Sequence, residues 1–230
     1  MRQRLLALDT SARDAIVGIR IGDRQPIVHP VPRETGRHAR NLIPTLRDLL
    51  SSCQVSPHEL TGVAVNLGPG SFTGLRVGVA AAQTLAWAAK IPAVGIGLFD
   101  LLAAASDAGR ERRLIANAER NELFVAVAQV GESTPSPTRI VPDDVFIAEL
   151  PDDVDVIGTV PRRLHETLGP RVIAPRESLL ETLLRLAAAK LAVGETTLPS
   201  QLLPIYGRRS AAEELRDAGR RPNYESPNSR

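Results

Sequence analysis

The sequence predicts an α/β protein of two related lobes around a cleft, and three observations support this prediction. Short apolar runs typical of buried strands alternate with longer segments in which apolar residues recur at helical spacing. The order of strands, helix, strand, helix, strand, helix in the first half starts again after a polar break at residues 106–113. The 230 residues, 43% of them hydrophobic, are enough to form a core in one or two domains.

The first elements are a β-hairpin, a third strand and a helix. Arg4–Asp9 ends at a polar turn, and Ala15–Ile21 alternates well enough to be its antiparallel partner. A third strand is expected within Gln25–Val31. A helix is expected from Gly36, and Pro44 either kinks this helix or lies just after its start. The apolar positions of the helix fall at helical spacing: Leu42, Leu46, Leu49 and Leu50.

A glycine-rich turn stands in the middle of the first half. A short buried strand, Leu60–Leu67, runs directly into residues 68–74. The alanine-rich segment Leu75–Lys90 is then predicted to be a helix. Strand Ala93–Ile96 and a further helix through Ala105 complete this half.

The second half contains fewer clear elements. Two strands, Leu114–Ala118 and Leu123–Val130, are joined by a four-residue turn, and Val154–Gly158 is another buried strand. Ser178–Val193 has the apolar stripe of a helix, whereas Gly131–Pro142 is rich in Pro, Ser and Thr and is predicted to be a mobile loop. We therefore expect an N-terminal lobe of residues 1–106, a smaller C-terminal lobe of residues 107–206 and a charged, flexible tail of residues 207–230.

The distribution of charge argues against nucleic-acid binding by this chain alone. The net charge is +2. Residues 208–230 contain six arginines and four acidic residues, so residues 1–207 are neutral, with 22 charges of each sign. A protein that holds a nucleic-acid backbone by itself normally has a basic face. We therefore expect contact with RNA only through a larger assembly.

Cysteine, histidine and hydropathy patterns indicate a cytoplasmic protein without a metal site. Cys53 is the single cysteine, so no internal disulfide can form. The four histidines lie far apart and never at a metal-ligand spacing. No membrane span or signal peptide is readable in the sequence.

The glycine-rich turn has two interpretations. A turn between a strand and a helix can present free backbone N–H groups and the helix dipole to an anion. The turn has no lysine before a serine or threonine, and its spacing, GxGxxxG, differs from that of dinucleotide-binding folds. The glycines could equally make a tight turn and permit close helix packing. The candidate nucleotide-binding or interface residues are Asp9, Thr10, Ser11, Gly68, Gly70, Ser71, Thr73, Gly74 and Arg76.

The amino-acid sequences of several segments resemble those of the TsaB family, also called YeaZ. Residues 66–78, NLGPGSFTGLRVG, closely resemble the signature of that family. The start LALDTS (residues 6–11), the segment IPAVGI (91–96), the segment NAERNELF (117–124) and the closing PIYGR (204–208) are similar to the family as well. The likeness is dense from residue 4 to about residue 130.

This resemblance implies a fold, a function and partners. The fold is the actin-like, Hsp70-like ATPase (RNase H-like) fold, with mixed sheets flanked by helices. TsaB proteins act with a homologous catalytic subunit, TsaD, and an ATPase, TsaE, to install the threonylcarbamoyl group on the adenosine beside the anticodon of tRNA. The resemblance thus implies a noncatalytic partner subunit that reaches tRNA through the complex and pairs with itself when TsaD is absent. No cofactor is expected to be bound tightly by this chain, and ATP or ADP is expected at the subunit interface of the complex.

Three substitutions, two relative to the catalytic paralogue and one relative to the wider superfamily, support this division of labour. By resemblance, Leu98 and Leu102 occupy the positions of two metal-binding histidines, and leucine cannot ligate a metal. Asp9 is kept, but Ala12 stands where active members of the superfamily commonly have glycine. Gly158 lies in a segment, residues 157–159, that could be a remnant of the second phosphate loop. No residue of this chain is therefore assigned a catalytic role.

The helix after the glycine-rich turn is apolar on more than one face. One broad stripe is predicted to face the lobe's own sheet and consists of Leu75, Val79, Ala82, Leu85 and Ala86. Trp87 is interpreted as an anchor on this helix. A second stripe of small, largely apolar residues consists of Val77, Ala81, Thr84 and Ala88. This stripe could pack inside the same lobe or meet a related subunit in a four-helix contact. The resemblance favours the subunit contact. The candidate partner-binding residues are Leu42, Leu46, Leu49, Val77, Ala81, Thr84 and Ala88.

Two enzymatic alternatives remain. A stand-alone ATP-dependent phosphotransferase of the same fold would use Asp9, Thr10 and Ser11 together with the glycine-rich turn. A nuclease of the RNase H-like type would need several clustered carboxylates to hold two metal ions, and only Asp9 sits convincingly at a strand end.

Overall fold

A computed structural model of the chain describes residues 3–32, 38–106, 109–132 and 134–207. The first lobe contains a mixed sheet of five strands in the order β3-β2-β1-β4-β5. β1, β2 and β3 are antiparallel neighbours, whereas β4 runs parallel to both β1 and β5. The strands are β1 (Arg4–Asp9), β2 (Ile16–Ile21), β3 (Ile27–Pro30), β4 (Gly62–Asn66) and β5 (Ala93–Ile96).

Helices cover both faces of this sheet. One face carries α1 (His38–Ser52) and α2 (Phe72–Ala89), which pack against the side chains of Leu6, Leu8 and Val63. The other face carries α6 (Leu179–Ala192), whose buried leucines meet Leu5, Ala7 and Ala64. Because β1 and β4 are covered on both faces, their sequences are continuously apolar rather than alternating.

The second lobe is a four-stranded sheet in the order β8-β7-β6-β9. Its inner face packs on α3 (Leu98–Ala104) and its outer face on α4 (Asp143–Glu149) and α5 (His165–Leu168). Short 3₁₀ helices lie at residues 57–59, 162–164, 169–171 and 199–201. The strands are β6 (Arg112–Glu119), β7 (Glu122–Ala128), β8 (Arg139–Pro142) and β9 (Asp155–Gly158).

The structure confirms the predicted α/β class with two mixed sheets and corrects several elements. Pro44 lies well inside α1 rather than just after its start, and α2 begins at Phe72 rather than Leu75. The segment predicted to be a mobile loop, Gly131–Pro142, contains strand β8, because Arg139–Pro142 pairs with β7. Helices α4 and α5 were not predicted.

The predicted lobe boundaries need a further correction. Residues 179–206 were assigned to the C-terminal lobe, but α6 packs on β1, β4 and β5 of the first sheet. The segment after α6, which we call the C-terminal strap (residues 197–207), also lies on the first lobe: the Thr197 amide donates to the Ala93 carbonyl at 2.7 Å. Of the predicted tail, only Gly207 belongs to the described residues. Among the described residues, no helix is long and apolar enough to cross a membrane.

Candidate functional site

The turn after β1 packs directly on the start of α2. The Thr10 hydroxyl donates to the Gly74 carbonyl at 2.8 Å, and the Ser71 amide donates to the Ser11 carbonyl at 2.7 Å. Ser71 is the N-cap of α2, and its hydroxyl accepts a hydrogen bond from the Gly74 amide at 3.2 Å. The turn after β1 and the start of α2 thus provide hydrogen-bond partners for each other. Thr73 and Gly74 lie inside the helix rather than in a loop.

The close contact between the turn after β1 and the start of α2 explains why three positions are occupied by glycine. A Cβ atom added at Gly70 would lie 2.3 Å from the Ser11 carbonyl oxygen. At Gly74 it would lie 2.1 Å from the Thr10 carbonyl oxygen, and at Gly78 it would lie 2.1 Å from the Thr10 hydroxyl. These distances are far below a van der Waals contact. The backbone of residues 10 and 11 and the side chain of Thr10 therefore occupy the space that these glycines leave open.

Asp9 is held in a chain of buried hydrogen bonds. Its Oδ1 atom accepts from the Ser11 amide at 3.0 Å and from the Ser11 hydroxyl at 2.6 Å. The Ser11 hydroxyl accepts from Asn66 Nδ2 at 3.0 Å, and Asn66 Oδ1 accepts from the Gly68 amide at 2.9 Å. Asp9 is only 6% exposed. Its carboxylate thus stabilises its own turn and ties that turn to the end of β4.

Two backbone amides at this turn are not free to bind a phosphate group. The Ser71 and Gly74 amides already have acceptors within the chain, and the Thr10 backbone fills the space beside Gly74. Between the two lobes, a cavity of about 120 Å³ is bounded by Gly68, Asp100 and Ile205, among other residues. This volume is below the usual range of small-molecule sites. Desolvation raises the pKa of the Asp100 carboxyl, and a hydrogen bond from the Gly97 amide partly offsets that rise.

In the second lobe, Gly158 has a similar structural explanation. It has a φ of +132° at the end of β9, and an added Cβ atom would lie 1.9 Å from the Ile115 carbonyl oxygen. The Thr159 amide donates to that same carbonyl at 3.2 Å. Close approach of β9 to β6 therefore requires this glycine.

The candidate partner-binding residues divide by burial. Leu42, Leu46 and Leu49 are at most 7% exposed and pack inward against the first sheet, so they cannot themselves contact a partner. That part of the prediction is wrong because the helical stripe of α1 faces the lobe's own core. On α2, Val77 and Ala81 are half-buried at the edge of the core, whereas Thr84 and Ala88 are exposed.

The outward surfaces of α1 and α2 form one face, which we call the helix face. It exposes large apolar side chains: Ile43 is 59% exposed, Phe72 is 43% exposed and Trp87 is 78% exposed. Trp87 is therefore not an anchor within its own lobe. Small and basic residues surround these side chains. The helix face consists of Arg40, Ile43, Arg47, Phe72, Arg76, Ala80, Thr84, Trp87 and Ala88.

The C-terminal strap borders the helix face beside α2. Leu202 is fully buried, and its carbonyl accepts from Gln83 Nε2 at 2.8 Å. The Arg76 guanidinium lies 3.9 Å above the Phe72 ring, and its Nε atom donates to the Tyr206 hydroxyl at 2.8 Å. The Phe72 and Tyr206 ring centres are 5.1 Å apart. Sequence analysis missed this cluster, because 130 residues separate Arg76 from Tyr206.

Comparison with known proteins identifies the family. The family profile described as "TsaD: tRNA N6-adenosine threonylcarbamoyltransferase" matches residues 29–146, more than half of the chain. The protein "tRNA threonylcarbamoyladenosine biosynthesis protein TsaB" of Escherichia coli is 29% identical over 91% of this chain and 96% of its own length. The Bacillus subtilis protein of the same name is 34% identical, over 44% of this chain and 43% of its own length. The chain belongs to the TsaB (YeaZ) family.

Solved structures of the same family agree with the fold. YeaZ from Pseudomonas aeruginosa superimposes with a TM-score of 0.69 at 25% identity, covering 89% of this chain and 99% of that chain. A second structure, described as an uncharacterized protein with similarity to peptidase YEAZ from the same organism, gives a TM-score of 0.67 at 26% identity. The resemblance to TsaB is therefore confirmed, and the predicted α/β fold with two mixed sheets agrees with the YeaZ structures.

The resemblance predicts that two leucines stand at the metal-binding positions of the catalytic paralogue, and both lie on α3, between the lobes. Leu98 is the first residue of α3 and is 7% exposed, and Leu102 is 2% exposed. Both pack in a cluster with Leu114 and Phe124 of the second sheet. Their side chains thus join the two lobes of this TsaB protein through apolar contacts.

Proposed function

We propose that this chain is a noncatalytic partner subunit of a complex that makes the threonylcarbamoyladenosine of tRNA. Its relatives in Escherichia coli and Bacillus subtilis are named as tRNA threonylcarbamoyladenosine biosynthesis proteins, which supports a role in this modification. The observation that carries the noncatalytic role is the burial of Leu98 and Leu102 in the core between the lobes. Leucine offers no lone pair to a metal, and burial in an apolar cluster favours a structural role for these positions.

In this proposal, catalysis belongs to a TsaD-like paralogue, and a TsaE-like ATPase completes the complex in the cytoplasm. The helix face is the surface that meets the paralogue, because it exposes Ile43, Phe72 and Trp87 on two adjacent helices. Where the paralogue is absent, the same face would allow pairing with a second copy. The chain reaches tRNA only within the complex, and ATP or ADP binds only at the subunit interface of the complex.

The packing around Asp9 argues against the alternative of a stand-alone phosphotransferase. Such an enzyme needs a carboxylate and backbone amides directed toward the phosphates. Here Asp9 is engaged by Ser11, and the backbone of Thr10 lies against Gly74.

The decisive experiment is co-purification of this chain with its TsaD-like paralogue, followed by a tRNA threonylcarbamoylation assay with each protein alone and with both. We expect stable co-purification and modification only when both proteins are present with the ATPase and the activated threonylcarbamoyl donor. Modification by this chain without the paralogue, or by the paralogue at full rate without this chain, would contradict the proposal. ATP turnover by the purified chain alone would favour the phosphotransferase.

A further inference from the structure

We infer that α3 is a rigid joint that holds the two lobes together as one body, and that Arg112 and Arg185 lock this joint, one from each lobe. This inference does not rest on the proposed function, because it concerns the motion of the lobes in the isolated chain. It follows from the burial of α3 against both lobes, from the hydrogen bonds at its last carbonyl groups and from the environment of Arg112. We call α3 together with these two arginines the α3 joint.

The apolar side chains of α3 are directed to both lobes. Leu101 is fully buried in a cluster with Val94 and Ile96 of the first sheet. Leu98 and Leu102 belong to the cluster on the inner face of the second sheet. Each of these contacts removes apolar surface from water and stabilises the packing of the helix on that lobe. If the lobes separated, α3 would have to expose the apolar side chains that face one of them.

Arginines from both lobes bind the last carbonyl groups of α3. Such carbonyl groups have no partner within the helix itself. Arg112, on β6 of the second lobe, donates from Nη1 to the Ala103 carbonyl at 3.2 Å. Arg185, on α6 of the first lobe, donates from Nη2 to the Ala104 carbonyl at 3.1 Å. The end of α3 is therefore attached to both lobes at two successive residues.

Arg112 depends on this attachment, because its charge is buried. Its side chain is 2% exposed, and its Nη1 atom also donates to Ser106 Oγ at 2.9 Å. Its Nε atom is buried and has no hydrogen-bond partner, and among the described residues no carboxylate forms an ion pair with it. A buried charge is costly unless other groups compensate it, and the carbonyl end of a helix carries partial negative charge. Movement of β6 away from α3 would leave this guanidinium without its acceptors.

Arg185 is held in position for its contact with α3. Its Nε atom donates to Glu177 Oε1 at 2.9 Å, and Glu177 lies just before α6. A planar guanidinium with several donors can bind a carboxylate and a carbonyl oxygen at the same time. The ion pair thus orients Arg185, and less entropy is lost when it binds the end of α3.

The α3 joint also fixes the cleft between the lobes. The cavity of about 120 Å³ in this cleft is bounded by Gly97 and Asp100, at the start of α3, and by Ser136 of the second lobe. It can enlarge only if the lobes separate, and separation would break the contacts of α3 with one lobe. We therefore expect this cavity to keep its small volume in solution.

The test measures the distance between the lobes in the isolated chain. Spin labels are attached at Ala189→Cys on α6 and at Arg139→Cys on β8, two exposed positions, in a Cys53→Ser background. Double electron–electron resonance then records the distribution of distances between the labels. Dilution with unlabelled chain removes distances between copies, and circular dichroism checks that each variant is folded.

Two variants open the α3 joint from its two sides, and each has a matched control. Arg112→Met and Arg185→Met remove the guanidinium but keep an unbranched apolar side chain. Arg113→Met is the control for Arg112→Met, because Arg113 is the next residue of β6 and its partner is Glu111. Arg171→Met is the control for Arg185→Met, because Arg171 also donates to carbonyl oxygens, but within the second lobe.

We expect a single narrow distance distribution for the wild-type chain. The distribution should become about twofold broader in Arg112→Met and in Arg185→Met, and it should stay unchanged in the two controls. Hydrogen exchange provides a second measurement. The Ala105 amide, which donates to the Leu101 carbonyl at the end of α3, should exchange about tenfold faster in both joint variants.

Several outcomes would overturn the inference. A broad or two-peaked distribution in the wild-type chain would show that the lobes already move. Folded Arg112→Met and Arg185→Met chains with wild-type distances and exchange would show that the arginines cap α3 without fixing the lobes. Equal broadening in Arg113→Met and Arg171→Met would attribute the effect to a general loss of stability.

The half-exposed arginine keeps the test decisive. If Arg112→Met does not fold, Arg185→Met decides, because the Arg185 side chain is 47% exposed and its replacement leaves the core intact. All measurements use the chain without paralogue, nucleotide or tRNA. Failure of the α3 joint is therefore distinguishable from failure of the proposed function, which only the co-purification and the modification assay test.

Discussion

The hydroxyl of Ser11 donates a 2.6 Å hydrogen bond to the carboxylate of Asp9, and the Ser11 amide donates to the same oxygen atom. This pair lies at the end of β1, in the position to which the phosphotransferase alternative assigns a carboxylate for chemistry. Here the carboxylate is nearly fully buried and its Oδ1 atom accepts from its own turn. Its contribution should therefore appear in stability rather than in catalysis.

Asp9→Asn tests this assignment. Removing the charge weakens two charge-assisted hydrogen bonds, so we expect the free energy of unfolding to fall by about 1–2 kcal/mol. Threonylcarbamoylation by the complex that contains the variant should stay within about threefold of wild type. Urea denaturation and the tRNA assay measure the two effects. A loss of activity of about 100-fold with unchanged stability would instead give Asp9 a role in the reaction.

Gly74→Ala tests whether the glycines of the turn serve close packing. The new Cβ atom would lie 2.1 Å from the Thr10 carbonyl oxygen, so the turn after β1 must move away from α2. We expect a loss of about 2–3 kcal/mol in the free energy of unfolding. Gly169→Ala is the matched control, because nothing lies within 4 Å of its added Cβ atom. Its unfolding free energy should stay within about 0.5 kcal/mol of wild type.

If both variants have wild-type stability, the turn is loose enough to adapt, and the contact between Thr10 and α2 is not the reason for the glycine. Equal destabilisation by both variants would point to a general cost of replacing glycine. Only a difference between the two sites supports the packing explanation.

Much of the first lobe could be predicted because its signals are local. Continuous apolar runs marked β1 and β4, and the spacing of Leu75, Val79 and Ala82 correctly predicted the buried side of α2. The strand β8 was missed because it is short and prolines and serines surround its arginine, isoleucine and valine. Proline and serine are typical of loops. The loop-like composition of residues 131–142 hid the short strand within this segment.

The arrangement of α6 and the C-terminal strap could not be predicted, because it depends on contacts between distant parts of the chain. The apolar stripe of α6 shows that the helix is buried but does not say on which sheet. The same limit applies to Leu42 and Leu46 on α1, which are buried. Their spacing identifies an apolar side of the helix, but only the fold shows whether that side faces the core or a partner. The family resemblance pointed to α1 and α2, but of the residues it suggested only Thr84 and Ala88 are exposed.

Leu202→Ala tests how firmly the C-terminal strap is attached. Leu202 is fully buried in the core beneath α1 and α2, and truncation leaves a cavity there. We expect the free energy of unfolding to fall by about 2–5 kcal/mol. The neighbouring Leu203 is 64% exposed, so Leu203→Ala provides the control and should change stability by less than about 0.5 kcal/mol. Similar effects at the two positions would show that the strap is not held by Leu202.

Trp87→Ala tests the helix face as a binding surface. The indole is 78% exposed, so its removal should change the free energy of unfolding by less than about 0.5 kcal/mol. Tryptophan residues that become buried at an interface often contribute about 2 kcal/mol or more to binding. Pairing with the TsaD-like paralogue should therefore weaken by at least about tenfold, as measured by titration calorimetry.

Val193→Ala is the control for this experiment, because Val193 is 72% exposed at the end of α6, on the opposite side of the first sheet. It removes an exposed apolar side chain without touching the helix face, and pairing should be unchanged. If Trp87→Ala and Val193→Ala both pair like wild type, the exposed tryptophan lies outside the interface. If both weaken pairing, the partner also covers α6, and the interface extends beyond the helix face.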